Sequence, residues 1–179
     1  RGILDICRTL RAIPELEELC LTTNGSLLPE LAQPLRDAGV DRLNISLDTL
    51  QPERFREITR WGTLEEVLSG IRAAEDTGFR HLKLDTVLMG GVNDDEIGDF
   101  LNLTREHPWE VRFIELMPIG QGRNKDGISE EKILGLLEQK YGVLYPYDGN
   151  MGNGPAHYYE LPGFRGKIGF ISAISHKFC

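Results

Sequence analysis

The 179-residue sequence predicts an α/β fold, an incomplete parallel β/α (TIM-like) barrel with short extra strands at its C-terminal end. Strand-like segments alternate with helix-like ones along most of the chain, an order that gives right-handed βαβ units and a parallel sheet. Four successive strands also carry polar residues on one parity: Cys20, Thr22 and Asn24; Asn44, Ser46 and Asp48; Lys83 and Asp85; Glu115 and Met117. The other parity is mostly Leu, Ile and Val. A parallel strand covered on both faces is apolar at nearly every position. A shared polar parity suits instead a barrel interior that holds a ligand.

Each element has a local reason. The opening "RGILDICRTL" is helix-like, and "ELEELCLTTN" reads as the first strand. A helical stretch from Leu28 to Ala38 stops at Gly39, and "DRLNISLD" is the second strand. In "TLEEVLSGIRAAEDTG", Thr63 and Glu66 form a capping box. Leu64, Val67, Leu68, Ile71 and Ala74 make one apolar stripe there, and Gly78 ends the helix. "RHLKLDTVLM" is the third strand. It leads to the helix "NDDEIGDFLNLTREH", with Asn93 as N-cap and Glu96 three residues on. "WEVRFIELM" is the fourth strand, and the loop "PIGQGRNKDG" leads to a helix from Ser129 to Tyr141, where Ile128 and Ile133 can form a hydrophobic staple. The remainder, with "GNMGNGP" in its middle, reads as two or three short strands.

The totals narrow the function. A hydrophobic content of 40% and a charged content of 27% are ordinary globular values. A net charge of −8 argues against a general binder of nucleic acid or anionic membrane, since either needs a basic face. A small anionic ligand needs only two or three placed cations and stays open. No apolar run approaches the ~20 residues that cross a bilayer, and the charged first residues are not those of a signal peptide. Three unpatterned cysteines, Cys7, Cys20 and Cys179, fit a reducing cytoplasm. The chain begins with Arg1 inside a helical pattern and ends on Cys179, and it reads as cut at both ends.

Lys83 is the boldest candidate for chemistry. A lysine on the inward parity of a buried strand must find an anion or lose its charge. It can be a phosphate ligand, a Schiff-base lysine, or half of a structural ion pair with Asp85 or Glu115. Thr22 and Ser46 lie near the carboxyl ends of their strands, where β/α proteins bind ligands, although such hydroxyls often only satisfy nearby backbone. Met117 ends its strand, a position more often used for packing. "GQGRNK" lacks the spacing of a phosphate loop. His81, His107, His157 and His176 have no partner at metal-ligand spacing and are discounted.

Together "LTTNGSLL", "LNISLDTL", "LKLDTVLMGGVND" and "VRFIELMPIGQG" resemble one family, the radical S-adenosylmethionine GTP 3′,8-cyclases, also called molybdenum cofactor biosynthesis protein A. The resemblance covers essentially the whole chain. It implies a barrel of the radical SAM type lacking its first strands, over residues 1–142. Residues 143–179 would begin the C-terminal molybdenum cofactor synthesis region. In the family, a stretch similar to "GFISAISHKFC" leads to three cysteines that hold a second iron–sulfur cluster, so Cys179 matches the first of the three. The family's C-x3-C-x2-C loop for the first cluster and its "GGEP" segment have no counterpart here.

By the same resemblance, Ser46 and Met117 match contacts to S-adenosyl-L-methionine, while Thr22 and Lys83 match contacts to GTP. The implied reaction is a lyase-type radical rearrangement. Two [4Fe–4S] clusters and S-adenosyl-L-methionine serve to convert GTP to (8S)-3′,8-cyclo-7,8-dihydroguanosine 5′-triphosphate in molybdenum cofactor (molybdopterin) biosynthesis. Cyclic pyranopterin monophosphate synthase acts downstream; nucleic acid and membrane are not implied, and a homodimer is open. The fragment alone is expected to be inactive. Other readings are a different radical SAM enzyme, a Schiff-base barrel aldolase using Lys83, and a non-catalytic half-barrel.

Overall fold

The computed structural model of the chain describes residues 2–79, 81–152 and 154–174. These fall into two units, residues 1–47 with 51–84 and residues 48–50 with 85–179.

The first unit contains α1 (Ile3–Arg11), β1 (Cys20–Thr23), α2 (Leu28–Asp37), β2 (Arg42–Ser46), α3 (Pro52–Thr59), α4 (Leu64–Asp76) and the start of β3 (Leu82–Leu88). Its hydrogen-bonded strand order is β1-β2-β3, which leaves β1 as an edge. β1 and β2 run parallel, with Cys20 opposite Arg42 and Thr22 opposite Asn44. The first strand is shorter than its apolar pattern suggests. The Leu19 amide donates to the Asp41 carboxylate at 2.8 Å, so a side chain takes the bond that an earlier ladder position would have made. α4 carries the expected capping box: Glu66 N donates to Thr63 Oγ1 and Thr63 N donates to Glu66 Oε2. Leu64, Val67, Ile71 and Ala74 of its stripe are buried, whereas Leu68 is only half-buried.

α3 has no counterpart in the sequence reading. Phe55 is its one buried residue, and one apolar anchor in two turns makes no stripe. Pro52 in its first turn is the signal that marks its start.

The second unit holds the rest of β3, α5 (Ile97–Glu106), β4 (Glu110–Glu115), α6 (Glu130–Tyr141), β5 (Tyr145–Pro146), β6 (His157–Glu160) and β7 (Lys167–Ile171). The strand order is β3-β4-β7-β6-β5. β7 pairs parallel with β4, while β6 and β5 follow antiparallel; the sequence predicts two or three short strands at the C-terminal end, and three form. Phe113 on β4 meets Phe100 of α5 edge-on, with ring centroids 6.3 Å apart, and Phe170 of β7 at 6.0 Å, which forms an aromatic core. Ser129 caps α6, with Ile128 and Ile133 both buried at the staple positions.

One expectation fails in this unit. Asn93 and Glu96 do not cap a helix; Asp94–Glu96 is a 3-10 turn and α5 begins at Ile97. Asn93 instead donates to the carbonyls of Asp48 and Val87 and accepts from Met89 N. Buried Glu96 accepts from Thr49 Oγ1 at 2.6 Å and from Leu50 N at 2.5 Å. Both side chains are drawn to polar groups of the segment after β2, and Asn93 also to the end of β3, where an unmet donor or acceptor costs more than a lost cap. Helices alternating with strands in a mostly parallel ladder form the predicted α/β fold, part of a β/α barrel.

Candidate functional site

β2 shows the two parities cleanly. Leu43, Ile45 and Leu47 are buried behind the sheet, while Asn44 is half-buried and Ser46 exposed on the other face. Thr22, exposed on β1, shares that face with Asn44: Asn44 Nδ2 donates to Thr22 Oγ1 at 3.4 Å. One step along the same ladder, Arg42 donates to Cys20 Sγ at 3.0 Å and pairs with Glu18 at 2.8 Å. Burial, partly offset by the Arg42 charge, raises the Cys20 thiol above its ordinary value, so Cys20 stays a protonated thiol.

The turn after β1 is built tightly. Thr23 Oγ1 accepts from Gly25 N, and Asn24 Oδ1 accepts from both Ser26 N and Ser26 Oγ. Gly25 has a φ of 81°, a region that favours glycine. α4 then presses its Gly70 against this turn: a Cβ on Gly70 would stand 2.1 Å from the Gly25 carbonyl oxygen. The approach of α4 fixes the strand end that carries Thr22.

Lys83 lies on the neighbouring strand β3 and is 2% exposed. Thr22, Ser46 and Lys83 therefore come from three adjacent strands of one unit. Cys179 and His176 lie outside the described residues.

In the second unit Met117 follows the end of β4 and is 45% exposed. "GQGRNK" folds into a 3-10 turn, Gly120–Asn124. The same unit holds a feature that the sequence reading missed. Arg112 Nε and Nη2 donate to the two carboxylate oxygens of Asp85, each at 2.6 Å, with side-chain exposures of 9% and 13%. Burial works to lower the Arg112 value, but the pairing with Asp85 more than offsets it, and the net shift is upward. The polar parity expected for β4 was that of Glu115 and Met117; the side chain that reaches Asp85 has the opposite parity. "EVR" at the start of β4 was the available signal, because buried charges on alternate positions of a strand call for partners. Glu115 accepts from Ile174 N at 2.9 Å, at the other end of the same strand.

Asp48 accepts from Val87 N at 2.8 Å, yet its carboxyl is held above the usual carboxylate range. Burial is the main cause, and the nearby Asp85 charge adds to it against the lowering effect of the Val87 bond. Glu130 at the start of α6 accepts from Ser172 Oγ at 2.6 Å and from Tyr159 Oη at 3.2 Å. Among the described residues no group of three or more His, Cys, Asp or Glu is placed to hold a metal ion. No helix among them is long and apolar enough to cross a membrane.

Comparison with known proteins bears directly on these strands. The sequence profile described as Molybdenum Cofactor Synthesis C matches residues 109–179. The chain is 47% identical over 178 residues to a GTP 3′,8-cyclase of Clostridium perfringens, covering 99% of this chain and 55% of the relative. It is 46% identical over 182 residues to a GTP 3′,8-cyclase of Heliobacterium modesticaldum, covering 100% and 56%. A third, from Pseudomonas syringae, is 46% identical over 185 residues, covering 99% and 54%. The chain thus spans about half the length of the curated relatives it matches. Residues 1–104, which carry the polar ladder of β1 and β2 and the buried Lys83, match the profile of the Radical SAM superfamily, and the chain belongs to that superfamily.

Proposed function

We propose that this chain is part of a GTP 3′,8-cyclase of molybdenum cofactor biosynthesis, and that its polar ladder holds the two nucleotides of that reaction. The support is the pairing of a Radical SAM profile with a Molybdenum Cofactor Synthesis C profile in one chain, in a sequence 42–47% identical to GTP 3′,8-cyclases. Thr22 and Lys83 contact GTP, and Ser46 and Met117 contact S-adenosyl-L-methionine. Cys179 is a ligand of a second [4Fe–4S] cluster. The whole enzyme works in the cytoplasm with two such clusters, and cyclic pyranopterin monophosphate synthase takes up its product. The boundary after Gly142, where α6 ends, separates the barrel part from the C-terminal region in this reading.

The residues present fit nucleotide ligands. Two hydroxyls, Thr22 and Ser46, stand exposed on one face beside a strand with a buried lysine. The Asn44 Oδ1 between them is closed to solvent and has no hydrogen-bond partner among the described residues. When bound, S-adenosyl-L-methionine and its cluster supply a carbon radical able to abstract hydrogen from a ribose. The chain's own work is to bind, orient and exclude water.

Lys83 is the residue on which the proposal is tested, because the resemblance matches it to a GTP contact and a lysine on β3 can make a charge-assisted bond to a phosphate. In the protein extended to the length of its relatives, Lys83→Ala should weaken GTP binding and leave S-adenosyl-L-methionine binding nearly intact. A charge-assisted contact contributes about 1.5–3 kcal/mol, or about ten- to more than a hundred-fold in affinity. A Schiff-base lysine would instead show a borohydride-trappable substrate adduct. Unchanged GTP affinity together with a lowered melting temperature would make Lys83 a structural residue.

A further inference from the structure

The motif "GQGRNK" after β4 lacks the spacing of a phosphate loop, so its two glycines need another reason. Gly120 has a φ of 56°, in the region that favours glycine. Gly122 takes no positive φ, and its reason is space: a Cβ there would stand 2.6 Å from the Met117 carbonyl oxygen and 3.2 Å from Leu116 Cδ1. The loop folds back until its own backbone lies against the residue from which it set out.

The Met117 carbonyl is held from a second side as well. Ile119 N donates to it at 2.8 Å, closing a three-residue turn about Pro118, and Gly122 N donates to the Ile119 carbonyl at 2.9 Å. Further along, Gly90 N donates to the Asp126 carbonyl at 2.8 Å and Gly127 bridges to Met89, which ties the far end of the loop to the segment after β3. β4 ends at Glu115, two residues before Met117, and Met117 is 45% exposed. A methionine side chain is unbranched and flexible, so it meets a ligand in one place only when its backbone is fixed. Here the fold-back fixes it.

We infer that Gly122 is a positioning residue for Met117: its missing side chain lets the loop pack against the Met117 carbonyl and hold that residue where S-adenosyl-L-methionine is bound. The inference rests on the proposed function, in which Met117 touches S-adenosyl-L-methionine, and adds what keeps that contact in place. Gly122→Ala has to push the carbonyl from 2.6 Å to the 3.4 Å of ordinary contact, a shift of about 0.8 Å. A binding group works only within about 0.5 Å of its productive geometry.

The test is a double-variant cycle on the protein extended to its relatives' length and loaded with its clusters, read by titration with S-adenosyl-L-methionine and, in parallel, with GTP. Gly122→Ala should weaken S-adenosyl-L-methionine binding about ten-fold or more and leave GTP binding within about two-fold of the parent. Met117→Ala should weaken S-adenosyl-L-methionine binding too. In that background Gly122→Ala should cost little further, because a displaced residue without its side chain has no contact left to lose. Should Gly122→Ala not fold, Ile119→Pro removes the N–H that bonds the Met117 carbonyl and is read in the same cycle. A loop that matters only for folding gives a lower melting temperature with both affinities unchanged or both lowered alike, and either result overturns the inference. So does a Gly122→Ala loss that adds in full to that of Met117→Ala. If Met117→Ala leaves S-adenosyl-L-methionine affinity unchanged, the reading of Met117 as a contact fails first, and the positioning role falls with it.

Discussion

Removing the Asp85 carboxylate should produce the largest single loss of stability in the second unit. Asp85→Ala takes away the two carboxylate acceptors of Arg112, whose Nε and Nη2 each lie 2.6 Å from a carboxylate oxygen and whose side chain is 9% exposed, and leaves it the neutral Tyr158 side chain as a hydrogen-bond partner. Arg112 cannot shed its proton, so the variant strands a buried cation. Breaking a buried pair from one side costs about 3–5 kcal/mol. For a chain of this size each kcal/mol moves the melting temperature by about 2–4 °C, so the expected drop is about 6–20 °C. Trp109 is buried in the same unit while Trp61 is 86% exposed, so tryptophan fluorescence in a urea or thermal titration reports chiefly on Trp109. The decisive comparison is the double variant Asp85→Ala/Arg112→Met. Replacing both charges with apolar atoms removes the stranded cation, and most of the loss should be recovered, since apolar replacements of buried pairs are often near neutral. A single variant within about 1 kcal/mol of the parent, or a double variant that loses the sum of both singles, would refute a closed ion pair here.

Two glycines should respond in opposite senses to the same substitution. Gly70→Ala should destabilise by about 1–3 kcal/mol, because its Cβ would meet the Gly25 carbonyl, a backbone atom that cannot swing aside, and this exceeds the gain in helix propensity. Gly135→Ala on α6, where nothing lies within 4 Å, should stabilise by about 0.4–1 kcal/mol in the same unfolding assay. Asp48 sets a pH dependence. Its folded value is raised, so the native state binds the proton more tightly than the unfolded state does. Stability is therefore lost as pH rises from the ordinary 3.8 through the raised value. The uncharged amide of the Asp48→Asn variant can keep the bond from Val87 N, so the melting temperature of that variant relative to the parent should climb with pH across that window. A flat difference would show that burial does not disfavour the charged carboxylate.

The local signals in the sequence were sufficient for most of the elements, though not for α3 or for the start of α5. The Thr63–Glu66 box starts α4, an apolar stripe buries it, and the alternation of Leu43, Ile45 and Leu47 with Asn44 and Ser46 assigns the two faces of β2. These depend on neighbours within a turn or a pleat, which a sequence displays directly. The resemblance named Thr22, Ser46, Lys83 and Met117, and the fold sets the first three on adjacent strands. Partnership was another matter. Asp85 pairs with Arg112, 27 residues away on the next strand. Glu96 braces Thr49 and Leu50, 47 and 46 residues away, when its spacing from Asn93 suggested a helix cap. Nor could spacing reveal that Asn44 would bond Thr22 and leave its own acceptor open. Such pairings depend on strand order, register and the depth at which each polar group is buried. Those are set only when the whole sheet assembles, because the cost of an unmet buried charge or hydrogen bond exists only once water has been excluded.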